Sequence, residues 1–158
     1  MSQPVADATR KDAAAKLSSP SKRSTYIYAA VAVISLLGLA DATYLTIEHV
    51  TGQSVRCTIV AGCSEVLSSK YAVVGGMPLA MIGAAAYFTV FALATLAAFG
   101  YRFGGTMLNV LVPAMVLVSL WLLYLQAFVI HSFCQYCLFS AAITFLLAVL
   151  LLIRWRNP

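Results

Sequence analysis

Charge is what this chain has least of. Only 9% of its 158 residues are charged, five of them acidic, against about 25% in a soluble domain. With 62% hydrophobic residues, that excludes an ordinary water-soluble domain and makes lipid the solvent for most of the chain. No haem, flavin or dinucleotide motif is present. The net charge of +5 comes from basic residues at the two ends and in one short loop, without a basic face or a stacking platform. Nucleic acid is therefore excluded as a partner, and the basic residues read as topology signals. Polar stretches are scarce as well: a tail, and one sizeable gap between apolar runs. What the sequence does hold is four cysteines, Cys57 and Cys63 in that gap and Cys134 and Cys137 at the seam of two long apolar runs.

Residues 1–25 are rich in Ala, Ser, Lys and Asp, include Pro4 and Pro20, and carry no apolar period. They are expected to be a disordered cytoplasmic tail. From Tyr26 to about Ile47 the chain has the roughly 20 apolar residues that cross a bilayer. A cleaved signal peptide ending near Ala40-Asp41-Ala42 is the rival reading. The run is long for such a segment, and more membrane helices follow it. The gap at 48–76 is longer than most connections, which marks a functional or disordered loop. Its apolar content argues for a packed lid, with a short helix capped by Ser64. Val66, Leu67, Tyr71, Val73 and Val74 are expected to face the membrane surface. Further spans are predicted at about 77–99, 106–130 and 134–153. Pro78 falls where a helix tolerates proline, and Pro113 is expected to kink its helix. Gly83 to Ala86 offer a small-residue face for close helix contact. GYRFGG (100–105) reads as a tight turn. The expected fold is an all-α integral membrane protein: a four-transmembrane-helix bundle over 26–154, with the external loop as its cap.

Topology follows from the basic residues. Arg10, Lys11, Lys16, Lys22, Arg23, Arg102, Arg154 and Arg156 lie in the tail, the 100–105 turn and the C-terminus; only Arg56 and Lys70 lie in the cysteine-bearing segments. Positive charge stays inside, so both termini are expected in the cytoplasm and all four cysteines outside. The external face of a bacterial inner membrane permits disulfides.

Cys134 and Cys137, spaced three apart, share a helix face. They stand at a helix start, where partial positive charge favours the thiolate, the nucleophile in disulfide exchange. A disulfide across two residues closes almost no loop and so contributes little stability; a reactive pair is the better reading. Leu138 follows Cys137, which excludes c-type haem attachment. A four-cysteine zinc site is off the usual ligand spacing. Cys57 and Cys63 admit two readings, a stapled loop or a second reactive dithiol in series with the first. Asp41 also admits two, because an unpaired carboxylate inside a membrane costs several kcal/mol: a functional group, or one hydrated at the outer interface.

The pattern resembles the vitamin K epoxide reductase family in its bacterial branch. The residues that carry the likeness are Tyr44-Leu45, the C-x5-C ending in Gly62-Cys63, Ser69, Gly76-x-Pro78, Gly83, Tyr87 and Phe133-Cys134-x-Tyr136-Cys137-Leu138, over about 26–153. The resemblance implies a thiol oxidase that reduces a membrane quinone, menaquinone or ubiquinone. Cys134 and Cys137 would be the active pair beside the quinone, Cys134 would exchange with Cys63, and Cys57 with a thioredoxin-like periplasmic oxidoreductase. Ser69, Pro78, Leu79, Gly83 and Ala141 would surround the quinone. Vertebrate members carry an Asn and a Tyr where this chain has Leu79 and Ala141, which separates it from vertebrate-type epoxide reduction. The chain stops at Pro158 without a fused thioredoxin-like domain, so that partner is expected to be a separate protein and the enzyme itself a monomer among lipids. The reading from another class is a non-enzymatic membrane protein, a metal-handling or transport component with a stapled loop.

Overall fold

The computed structural model describes residues 22–52 and 62–156. Four helices in it are long and apolar enough to cross a membrane. α1 runs over Lys22–Thr51, and a short α2 over Cys63–Ser68. Two-residue strands β1 (Val73–Val74) and β2 (Met77–Pro78) pair antiparallel. α3 spans Leu79–Ala98, α4 spans Arg102–Tyr124 and continues as a π-helical segment over Leu125–Ile130, and α5 spans Gln135–Arg156. The chain is a multi-pass, all-α membrane protein.

Each long helix packs on two others: α1 on α3 and α5, and α4 on α3 and α5. That ring is a closed four-helix bundle. Its core draws on all four, with Val31, Val90, Leu108 and Leu147 wholly buried. The outer surface is large and apolar, including Phe88, Leu117, Trp121 and Phe128. In lipid such a surface needs no cover, because helix association there rests on packing and hydrogen bonds. Small residues let the backbones approach. A side chain at Gly38 would collide with the Tyr87 ring, and a Cβ at Gly104 would stand 2.5 Å from the Leu93 carbonyl.

Several boundaries differ from the sequence expectation, each for a local reason. α1 starts at Lys22, so residues 22–25 are helical; the rest of the expected tail lies outside the described residues. It also runs four residues past Ile47. GYRFGG is not a turn throughout. α4 already begins at Arg102, because Gly104 and Gly105 serve close contact with α3 and Tyr28 within the helix. α3 starts at Leu79, since Met77 and Pro78 pair with Val74 and Val73. Gly75 and Gly76 form that hairpin's two-residue turn with φ of 60° and 83°, the left-handed values that such turns require. Pro113 lies inside α4.

At one end of the bundle, Arg154 of α5 stacks 4.6 Å over the Tyr28 ring and donates from Nε to Ser24 Oγ at 3.4 Å. α2, the hairpin and the residue 131–134 seam gather at the other end. The loop elements and the seam thereby share one end of the bundle.

Candidate active site

The seam is built by an unusual helix end. The third span leaves α-helical geometry at Leu125 and closes with His131 in the left-handed conformation, φ 54°. π-helical turns often occur at functional sites. Here the turn aims Gln126 at the seam with both its polar groups. Its carbonyl accepts from the Ser132 N–H at 3.2 Å. Its buried side-chain Oε1 accepts from the Cys134 N–H at 3.0 Å. Cys134 in turn caps α5, its carbonyl accepting from the Leu138 N–H at 3.0 Å.

That capping position contributes to the state of the Cys134 thiol. It is held at about 7, below its ordinary value near 9, chiefly by a hydrogen bond with the Cys137 side chain. Burial opposes the shift, the backbone N–H groups of Cys137 and Tyr136 add to it, and Asp41 works against it when ionised. The sulfur thus occupies the place of an N-cap oxygen, facing the free donors of a helix start. Because the value is lowered, thiolate accumulates as pH rises through about 7. A thiol of pKa 9 is about 1% ionised at pH 7, and one of pKa 7 about half. The loss of intrinsic nucleophilicity over two units returns about eightfold, leaving a net gain of about sixfold. Alkylation of Cys134 should therefore rise with a midpoint near pH 7. In Cys137→Ala, which lacks the hydrogen-bonding thiol, the midpoint should move up towards 9. A midpoint unmoved by that substitution would show that the hydrogen bond has no such effect.

α2 begins at Cys63, and no side chain caps it. Ser64, expected as the cap, is its second residue. The reason is close approach. A Cβ at Gly62 would lie 2.7 Å from the Phe133 carbonyl, so only glycine brings the loop backbone against the seam. Cys63 is then buried to 1% exposure. It shares a cluster with Leu45, Val66 and Cys134, against which Cys137 packs. Val66 therefore points inward and Leu67 lies against that cluster, contrary to the membrane-facing expectation, whereas Tyr71, Val73 and Val74 are exposed. Ser132 Oγ donates to Glu65 Oε2 and ties α2 to the seam. Cys63 is disulfide-bonded, and Cys134 and Cys137 are free thiols. Cys57 lies outside the described residues.

Beneath this cluster is a cavity between α1, α3, the end of the third span and α5, with α2 and the hairpin over it. Ser69, Pro78, Leu79, Gly83 and Ala141 all line it, and so does Cys137. The Ser69 hydroxyl donates to the Val66 carbonyl at 2.7 Å, closing the end of α2. Leu79 and Ala141 contribute only apolar surface. The Tyr87 hydroxyl donates to the Ser140 carbonyl at 2.8 Å and lies 2.8 Å from Ser140 Oγ and 2.9 Å from Thr144 Oγ1, pinning α3 to α5. A mostly apolar cavity with a few placed polar groups suits a small hydrophobic ligand.

Asp41 lines the same cavity. It is 9% exposed, and its Oδ2 is buried without a hydrogen-bond partner. Asp41 is thus turned into the cavity wall rather than out to an open surface. Gln126 and the Glu65–Ser132 tie were not among the sequence candidates. A signal for Gln126 existed: it is the lone amide in the apolar run WLLYLQAFVI.

The model of the vitamin K epoxide reductase family matches residues 29–152. The chain is also similar to the thiol-disulfide oxidoreductase LTO1 of Arabidopsis thaliana, 39% identical over 116 residues. The match takes in 68% of this chain but spans only 31% of that relative's length.

Proposed function

Because this chain belongs to the vitamin K epoxide reductase family, we propose that it is a membrane thiol oxidase with quinone as its electron acceptor. Electrons enter from a thioredoxin-like donor at Cys57 and Cys63, pass to Cys134 and Cys137, and leave to menaquinone or ubiquinone in the cavity. The observation that carries this reading is the burial of Cys63 and Cys134 in one cluster directly above a cavity walled by Cys137. The name of the Arabidopsis relative points the same way.

The residues divide the work. A disulfide at Cys63 with free thiols at Cys134 and Cys137 is the arrangement in which the inner pair is charged with electrons. Transfer between pairs is thiol–disulfide exchange through a Cys63–Cys134 bond, so each step breaks one S–S bond and forms another. Oxidation of the inner pair joins Cys134 to Cys137 and releases two electrons and two protons, which the quinone takes up as it becomes quinol. The cavity fits a quinone ring in its apolar lining and in the polar groups that reach it, Asp41, Gln126 and Ser140. In this reading the protein is a monomer in a bacterial inner membrane, and the charge argument puts both termini in the cytoplasm and the cysteines on the periplasmic side.

The test is quinone reduction by the purified protein with a reduced thioredoxin-like donor. The native chain should consume ubiquinone or menaquinone, and Cys134→Ala should not. If the native protein docks the donor yet reduces neither quinone, the oxidase reading fails and the binding or transport class takes its place.

A further inference from the structure

The cavity wall has a feature that the cysteine relay does not use. Among the described residues, Asp41 Oδ2 is the one buried side-chain oxygen or nitrogen without a hydrogen-bond partner. Buried polar groups are otherwise almost always paired, and one left alone calls for an explanation. Asp41 lies on the face of α1 that also gives Leu45 and His49 to the cavity, as spacing by four along a helix requires. Cys137 lines the same cavity. At Leu79 and Ala141 the wall has no polar side chain to offer. Gln126 Oε1 is committed to the Cys134 N–H, and the Ser140 hydroxyl to Tyr87. Ser119 and Tyr71 also bring hydroxyls to the wall, but among the described residues Asp41 Oδ2 is the one fully buried side-chain polar atom left uncommitted.

We propose that Asp41 is a catalytic residue of quinone reduction: its carboxyl O–H donates a hydrogen bond to one quinone carbonyl and passes that proton to the oxygen as the ring is reduced. This rests on the quinone reading above. A protonated carboxyl is a donor and a carbonyl oxygen an acceptor, so the unpartnered oxygen acquires its partner only when the cavity is filled. The balance closes without a further reagent. As the Cys134–Cys137 bond forms, the pair gives up two electrons and two protons, and the ring takes both electrons and one proton on each oxygen. One proton travels by way of Asp41, which regains it from the Cys137 thiol and ends the cycle unchanged; the other comes from the Cys134 thiol, or from water where that thiol is already ionised, and goes to the second oxygen. The other titratable groups of the wall, His49 and Tyr71, are not needed for the step. Asp41 is thus also part of specificity, since it selects a ligand with a hydrogen-bond acceptor at that depth.

The experiment compares native protein, Asp41→Asn and Asp41→Leu by three readouts. These are quinone reduction, equilibrium binding of decylubiquinone, and the exchange of thiols with the reduced donor in the absence of quinone. Asn keeps a donor but cannot transfer a proton. Asp41→Asn should bind decylubiquinone within about threefold of native and exchange thiols at the native rate, while kcat falls about 100-fold or more, the range of a lost general acid. Asp41→Leu should lose binding as well. An Asp41→Asn kcat within twofold of native would overturn the assignment, and so would equal slowing of quinone-free exchange, which marks a structural role. If the native protein itself reduces no quinone, it is the underlying oxidase reading that has failed; if it does and Asp41→Asn matches it, only the role of Asp41 has.

Discussion

Replacing Cys137 with alanine should stop turnover altogether and leave Cys134 joined to Cys63. The two sulfurs belong to one buried cluster, and Cys63 is already in a disulfide while Cys134 is a free thiol. Attack by the Cys134 thiolate on Cys63 breaks that disulfide, forms the Cys63–Cys134 bond and frees the loop partner's thiolate. This is the relay step in reverse: in the native protein Cys137 attacks Cys134 and returns Cys63 as a thiol, whereas forward turnover has the Cys63 thiolate attack the Cys134–Cys137 disulfide, pass through the same bond and free Cys137. Without the Cys137 sulfur this exit is gone. The effect is all-or-none, because one remaining inner thiol cannot form a disulfide and so cannot deliver two electrons. Loss of the Cys137 thiol also weakens the thiolate at Cys134, so the bond should form more slowly at pH 7 than at pH 9, and incubation must allow for that. Non-reducing digestion and mass mapping would reveal the Cys63–Cys134 peptide pair. If Cys63 is found bonded only within its own loop, the two pairs do not communicate and the relay fails.

Much of the fold was legible because membrane burial writes itself into long apolar runs. Four such runs separate the few charges, and they become α1, α3, α4 with its π-helical extension, and α5. The grouping of loop and seam at one end follows from an even number of crossings between them. What could not be read was finer. GYRFGG has turn composition, yet two of its glycines serve helix contact with Leu93, Ala97 and Tyr28, and contact partners are not visible in a local window. Ser64 is a good cap by type, but the packing of Cys63 and Gly62 against the seam sets where α2 begins. Val66 looked membrane-facing in a loop that in fact folds onto Cys134. The surroundings of Asp41 were undecidable from position along a helix, since depth in a span does not tell whether a neighbour supplies a partner. Ser69, Pro78, Leu79, Gly83 and Ala141 are scattered through the sequence. The bundle brings them to one cavity, which no spacing rule within any single helix would have done.

Gln126 is the residue whose removal should most disturb the site without touching a sulfur. Its carbonyl holds Ser132 and its side chain holds Cys134, so one residue fixes both flanks of Phe133. Leucine at this position has nearly the same bulk and suits the apolar surroundings, so packing should survive Gln126→Leu. What is lost is the acceptor for the buried Cys134 N–H. An unsatisfied buried donor costs about 1–3 kcal/mol. If that penalty falls on the geometry in which Cys134 faces Cys63 and Cys137, turnover should drop by about 5- to 150-fold. The main-chain bond to Ser132 remains, so the seam should loosen around Cys134 rather than unfold. Gln126→Glu keeps an oxygen in the same place and should recover most of the loss. Thermal unfolding, quinone reduction and alkylation of Cys134 measured on the three proteins separate the possibilities. Loss in Leu with recovery in Glu assigns the effect to the hydrogen bond. Native behaviour in Leu would mean that the π-helical turn positions Cys134 by its backbone alone. The amide would then be one polar group among apolar neighbours with no part in the chemistry.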